Sequence, residues 1–172
     1  SYGGYHFEVK LLKGHTFGQC GLYEPEKKLM FVGDQLMTTI VPIVGTQETD
    51  LGMLKCYLDS LGDLKHNYKD CYFLPCHYGE IRNVEKEVNR IILGYLEKCE
   101  IMKHVLEEAG TALTTRDIGV RTYGRSQGPP DYAHFASCTY IWAKTFSSME
   151  YMMGEGFIER SERDGIIYWK AL

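Results

Sequence analysis

A chain of 172 residues with 44% hydrophobic and 24% charged residues has the make-up of an ordinary globular protein, long enough for one domain or two small ones. Its net charge of -4 leaves no whole-chain electrostatic footprint for nucleic acid, and no apolar run approaches the roughly 20 residues that a bilayer-spanning helix requires. No charged leader with an apolar core follows Ser1, and the six cysteines (Cys20, Cys56, Cys71, Cys76, Cys99, Cys138) form no Cys-x-x-Cys pair, a usage expected of reduced thiols in a cytoplasmic setting.

The pattern "YHFEVKLL" (residues 5–12) alternates loosely and predicts a strand. A glycine-punctuated turn carrying His15 follows, then a short strand in "CGLYEP", a polar hairpin turn in "EKK" and a buried strand in "LMFVG" that ends at Gly33-Asp34. "TTIVPIVG" is an apolar loop interrupted by Pro42. "DLGMLKCYLDSLGDL" sets Leu51, Leu54, Leu58, Leu61 and Leu64 at helical spacing, the signature of an amphipathic helix. "CYFLPC" predicts another buried strand, ending at His77, and residues 83–110 form a long amphipathic helix stopped by Gly110. Alternation of strand and helix up to about residue 95 predicts an α/β layered core.

A second unit starts near Ala112. "TTRDIGV" predicts a capped helix with Thr115 near its start, "GRSQGPPD" a loop, residues 132–156 a helix, and the last sixteen residues a β-hairpin turning at Asp164-Gly165. Helix, loop, helix, hairpin is the order of a winged helix. The division expected is therefore 1–110 and 111–172.

Three chemistry-bearing residues sit at the ends of predicted strands: His15, Asp34 and His77. Loops after strands are where α/β folds gather chemistry. Imidazole and carboxylate suit zinc, or iron or manganese in a mixed nitrogen and oxygen site, and a carboxylate can bridge two cations. Taken singly, each is more at home in turn chemistry or as a solvated side chain than as a metal ligand.

The ordered combination is more specific. "FEVKLLKGHTFGQCGLYEPEKKLMFVGDQL" and "FLPCHYGEIRN" resemble the middle and later elements of the metallo-β-lactamase-fold hydrolases, over residues of about 5 to 110. The tail resembles the winged-helix extension of the lactamase-β-like-2 branch. The resemblance implies an α/β fold, the C-terminal half of an αββα sandwich followed by a small winged-helix domain. It implies that His15 ligates one zinc, Asp34 bridges two and His77 ligates the second, with iron or manganese as alternatives. It further implies hydrolysis of an ester, thioester, amide or phosphodiester by metal-bound hydroxide, the substrate being a small molecule or RNA.

The sequence departs from that family's pattern in three places. The His-x-His-x-Asp-His motif is absent, so the chain is expected to be the C-terminal half of a longer protein, with weak or no metal binding and no turnover by itself. Phe17 and Gln19 stand where the family's turn has proline and a second histidine that is not normally a ligand, and Cys76 stands where glycine precedes the later histidine. Cys76 is expected to be a packed thiol in preference to a stray soft ligand. A lone half-sandwich is expected to bare an apolar sheet face and to associate with the missing half or with itself.

From Thr114 to Leu172 seven basic residues are balanced by seven acidic ones, which leaves no stripe for phosphates and favours a structural or dimerising tail. Tyr132, Phe135, Tyr140, Trp142 and Phe146 are expected to form the core of the small domain. His6, His66, His104 and His134 are expected at the surface. The alternative to a hydrolase is a non-catalytic binding module that uses its winged helix for protein or nucleic-acid contact, with no membrane involvement.

Overall fold

A computed structural model describes residues 3–44, 52–124 and 132–172, with side chains from residue 138 onward in the last stretch. The chain divides into two compact units, Ser1–Gly45 with Lys55–Gly94 and Thr46–Leu54 with Tyr95–Leu172.

In the first unit, β1 (Glu8–Leu11), β2 (Cys20–Glu24) and β3 (Leu29–Gly33) form an antiparallel meander. Helix α1 (Met53–Asn67) then carries the chain over to β4 (Tyr72–Pro75), which pairs parallel with β3. The β2–β3 turn is locked by Glu24, which is buried and whose carboxylate accepts the amide of Lys27 at 2.6 Å and that of His6 at 3.4 Å. The Lys27 amide above all holds the Glu24 carboxyl below its usual range.

The two faces of this sheet differ. Met30, Val32 and Phe73 are fully buried on one face, and each of the two helices carries a buried stripe of its own. On α1 the stripe is Met53, Leu54, Tyr57, Leu61 and Leu64, so Tyr57 takes the place expected for Leu58, which is half-buried; Leu51 lies outside the described residues. On α2 (Val84–Ala109) it is Val84, Val88, Ile91, Tyr95, Cys99, Met102 and Leu106, three or four residues apart throughout. The opposite sheet face is apolar but open. Val9, Leu22, Phe31 and Leu74 lie in one cross-strand row. Val9 is 68% exposed and Leu22 and Phe31 are each 41% exposed. A solvated sheet face normally alternates to polar residues; this row is the bare face expected of half a sandwich.

The second unit holds the rest of α2, then β5 (Leu113–Thr114), α3 (Thr115–Tyr123), α4 (Tyr132–Gly154), β6 (Ile158–Arg163) and β7 (Ile166–Ala171), in an antiparallel sheet of order β5-β7-β6. Thr114, one residue before the expected start, caps α3 by accepting the amide of Asp117 at 3.1 Å. The β6–β7 turn is at Asp164-Gly165 as expected, both with positive φ (52° and 74°), the requirement of a tight two-residue hairpin.

The aromatic core expected on α4 forms only in part among the described side chains. Tyr140 and Trp142 are 54% and 40% exposed, and the buried residues of α4 lie further along, from Thr145 to Met152. Phe146 does turn inward, meeting the fully buried Trp169 edge-on at 5.7 Å, and Trp169 donates its indole N–H to Thr115 Oγ1 at 2.9 Å. The side chains of Tyr132, Phe135 and His134, and most of the loop over 124–131, lie outside the described residues. His6, His66 and His104 are exposed as expected. No described helix is long and apolar enough to cross a membrane.

The contrast between the two sheet faces is measurable. Phe73→Ala should cost about 3–5 kcal/mol in urea unfolding through cavity formation. Phe31→Lys should cost less than about 1 kcal/mol and should lower the sedimentation-velocity mass average of the isolated chain. Equal costs for the two would mean that the outer face is already covered.

Candidate metal centre

His15 is held in a turn closed by two backbone hydrogen bonds, Leu12 N–H to Gln19 C=O at 2.8 Å and Gly14 N–H to Thr16 C=O at 3.2 Å. Gly14 has a φ of 146°, and a Cβ there would overlap the Tyr57 side chain, so only glycine lets the turn lie on α1. The ring is oriented by its Nδ1, which stands 2.7 Å from the Ile43 carbonyl. A carbonyl only accepts, so Nδ1 carries a proton, and in the neutral ring the lone pair is on Nε2. The His15 amide donates to Gln35 Oε1 at 3.4 Å.

Gln35 is the hub of this arrangement. Fully buried, it also donates through Nε2 to the Lys13 carbonyl at 3.2 Å and to Ser60 Oγ at 3.0 Å. Its own carbonyl accepts the Tyr57 hydroxyl at 2.8 Å. The His15 turn, the end of β3 and α1 are thereby tied together one residue from Asp34. Further along, Arg90 of α2 donates to the Met37 carbonyl at 2.6 Å, and Thr38 Oγ1 donates to the Tyr78 carbonyl at 3.3 Å, which ties the loop after Asp34 to the segment after β4.

Gly33, with φ of 58°, turns the chain out of β3 so that Asp34 faces both histidine segments. Gln19 folds over it, donating to the Val32 carbonyl at 3.1 Å, and a Cβ on Gly33 would strike that amide. Gln19 therefore packs the turn, a part that needs no imidazole. His77 follows Cys76, whose amide donates to the Gly33 carbonyl at 3.2 Å and prolongs the β3–β4 pairing. The Cys76 thiol is exposed, not packed as expected, because it leaves the end of β4 where the last strand bond is made and no core lies beyond. Tyr78 takes a positive φ of 69°, a rare conformation for a bulky residue.

The three sequence-singled residues come together. His15 Nε2 lies 3.7 Å from Asp34 Oδ2, and His77 Nε2 lies 3.6 Å from Asp34 Oδ1. Both are too long for hydrogen bonds. They are close to the roughly 3.3 Å that separates two donors about 2.0–2.1 Å from one tetrahedral cation. Asp34 Oδ1 is buried with no hydrogen-bond partner, an unusual state for a carboxylate oxygen and one that a cation would relieve. Yet among the described residues no three His, Cys, Asp or Glu side chains gather into a group that could hold an ion. Both observations agree once the arrangement is seen as two pairs, His15 with Asp34 and Asp34 with His77, sharing a carboxylate. Two donors are fewer than the three or four of a protein zinc site.

The sequence matches no protein-family model and no curated protein. Among solved structures, the fold matches that of a metallo-β-lactamase family protein from Thermus thermophilus with a TM-score of 0.78, at 21% identity, covering 97% of this chain and 50% of that one. It also matches a β-lactamase domain protein from Burkholderia ambifaria with a TM-score of 0.82, at 18% identity, covering 100% of this chain and 50% of that one. The chain matches half of a metallo-β-lactamase fold. It spans about half the length of these structures.

Gln35, Ile43 and Tyr57 were not legible as site-forming residues, although a lone polar residue between Asp34 and the apolar "LM" is a usable signal for a buried hub. Gln35→Ala leaves the His15 amide, the Lys13 carbonyl and the Ser60 hydroxyl without this partner and should cost about 1–3 kcal/mol. Long-range 1H–15N NMR should find His15 protonated on Nδ1 in the parent and a tautomer mixture in the variant. An unchanged tautomer would detach Gln35 from the placement of His15.

Proposed function

We propose that this chain supplies half of a dinuclear, metal-dependent hydrolase centre, with His15 and Asp34 serving one cation and Asp34 and His77 the other. The observation that carries this reading is the Asp34 carboxylate, whose two oxygens each face a different imidazole and one of which is buried without a hydrogen bond. The remaining donors would come from a complementary half that covers the Val9, Leu22, Phe31 and Leu74 row, and the isolated chain would bind metal weakly and turn nothing over.

The donor set suits zinc, with iron and manganese as alternatives, and such cations would polarise an ester, thioester, amide or phosphodiester and make water acidic enough to attack it. Within this chain, the Ile43 carbonyl fixes which nitrogen His15 presents. Asp34 holds two half-sites at one spacing because a single carboxylate serves both. His77 is the more solvent-accessible imidazole of the two.

Residues 111–172 are proposed to be the winged helix of the lactamase-β-like-2 branch, which the order β5, α3, α4, β6, β7 supports. Helix α4, the longest of that stretch, carries Lys144 as its single Lys or Arg, and burial followed by the nearby Lys98 pushes that amine below its ordinary pKa. Such a helix is poorly suited to phosphate contact, which favours a structural or protein-contact role over RNA binding. A cytoplasmic setting is proposed on the six free thiols. The competing reading, a binding module with vestigial ligands, is favoured by the lack of a three-donor group among the described residues.

Metal analysis of the full-length protein separates the two. Asp34→Ala should lose both cations, whereas His15→Ala and His77→Ala should lose about one each. Unchanged metal content in all three would rule out the site.

A further inference from the structure

The ends of β3 and β4 opposite to Asp34 and His77 form a second feature. Because these strands are parallel, Lys28 and Cys71 enter the sheet side by side, and the Tyr72 amide donates to the Lys28 carbonyl at 2.7 Å. Strands of this length place the two ends on the order of 15 Å apart, so this feature is separate from the candidate metal centre. An open groove of about 610 Å³ lies here, lined by Lys27, Lys28, Lys69, Asp70, Cys71, Tyr72 and Arg82. That volume is within the range of small-molecule sites.

Three separate segments bring the cations. The β2–β3 turn gives Lys27 and Lys28, the α1–β4 loop gives Lys69, and the chain after β4 doubles back through the Phe73–Ile81 bridge to bring Arg82 beside Tyr72. Asp70 is the one acidic lining residue. Glu24, nearby in sequence, is already engaged by two backbone amides. Arg82 is anchored by Glu80 through Nε at 2.8 Å and Nη2 at 2.6 Å, and its guanidinium lies 5.9 Å from the Tyr72 ring centre. Tyr72 in turn donates its hydroxyl to Glu80. That fixes the fork and leaves the Nη1 amine for a ligand. Lys27 lies over the Tyr5 ring at 4.0 Å, and Lys28 and Lys69 form no ion pair with a described carboxylate. Lys28 holds its place with a φ of 52°, a left-handed conformation usually left to glycine or asparagine. A chain of net charge -4 thus concentrates four cations in one concave place.

We infer that this groove binds linked phosphates, the oligophosphate group of a nucleotide or of an inorganic polyphosphate. Ammonium groups on long stems and one fixed guanidinium are the donors that phosphate oxygens accept from. Four cations contributed from three segments are spread along an open groove, an arrangement that suits several linked phosphates better than one. The inference stands apart from the metal reading, since none of the groove residues is a proposed ligand.

Isothermal titration of the 172-residue chain with inorganic tripolyphosphate, ATP and orthophosphate tests it. Tripolyphosphate and ATP should bind at least about tenfold more tightly than orthophosphate, with affinity falling as salt rises. Equal affinity of the first two means that the phosphates alone are recognised; a tighter ATP means that the groove also takes the nucleoside, and either result supports the inference. The double variant Lys28→Asn, Lys69→Gln should weaken tripolyphosphate binding about tenfold or more, and asparagine keeps the left-handed turn. Lys27→Gln with Lys69→Gln repeats the test without touching the strained position, and Lys170→Gln, in the other unit, should change nothing. Parent-like binding by both double variants, or equal affinity for orthophosphate and tripolyphosphate, would overturn the inference. So would a short single-stranded oligonucleotide binding more tightly than tripolyphosphate at equal phosphate concentration.

Discussion

The buried amide of Gln35 is the constraint on which the first unit's chemistry depends. A single side chain satisfies the His15 amide, the Lys13 carbonyl and the Ser60 hydroxyl, while its own backbone carbonyl takes the Tyr57 hydroxyl. An amide group buried in this way tolerates little displacement, because each lost partner leaves a desolvated polar atom. The turn carrying His15 is therefore fixed relative to Asp34 by α1, not by the strands alone. Gly14 completes the arrangement by letting the turn lie against Tyr57 without a side chain between them.

The open sheet face and the two donor pairs both fit the proposed complementary half. Met30, Val32 and Phe73 are fully buried on one face of the sheet, while Val9, Leu22 and Phe31 are exposed on the other. Asp34 has an imidazole near each oxygen, and no third donor joins either pair among the described residues. The fold agreement with the two solved structures likewise spans half of their length.

Local patterns carried much of the architecture. The period-two strands around Leu22 and Met30, the leucine spacing of α1, and the Asp164-Gly165 turn each encode their structure within a few residues, so they are readable from the chain. His15, Asp34 and His77 were legible because a turn, a strand end and a strand end recur in a known order. What escaped depends on distance in sequence. Gln35 acts on Lys13 and Ser60, and Ile43 on His15, through contacts that no window spans. Tyr140 and Trp142 misled because a cluster of aromatics says nothing about which side of a helix faces inward. Cys76 misled because the end of a buried strand need not be buried. The four cations of the groove are invisible along the chain, since β-strand pairing and the return of the Ile81 segment bring them together.

The parallel pairing of β3 with β4 has a consequence in time as well as in space. The meander of β1, β2 and β3 closes through short turns, so the segments bearing His15 and Asp34 approach each other with little loop entropy to overcome. His77 arrives only when the α1 crossover has brought β4 alongside β3, a long-range closure and a slow one. Long-range closure is in general the slower kind, so the position of His77 rests on how accurately α1 returns the chain.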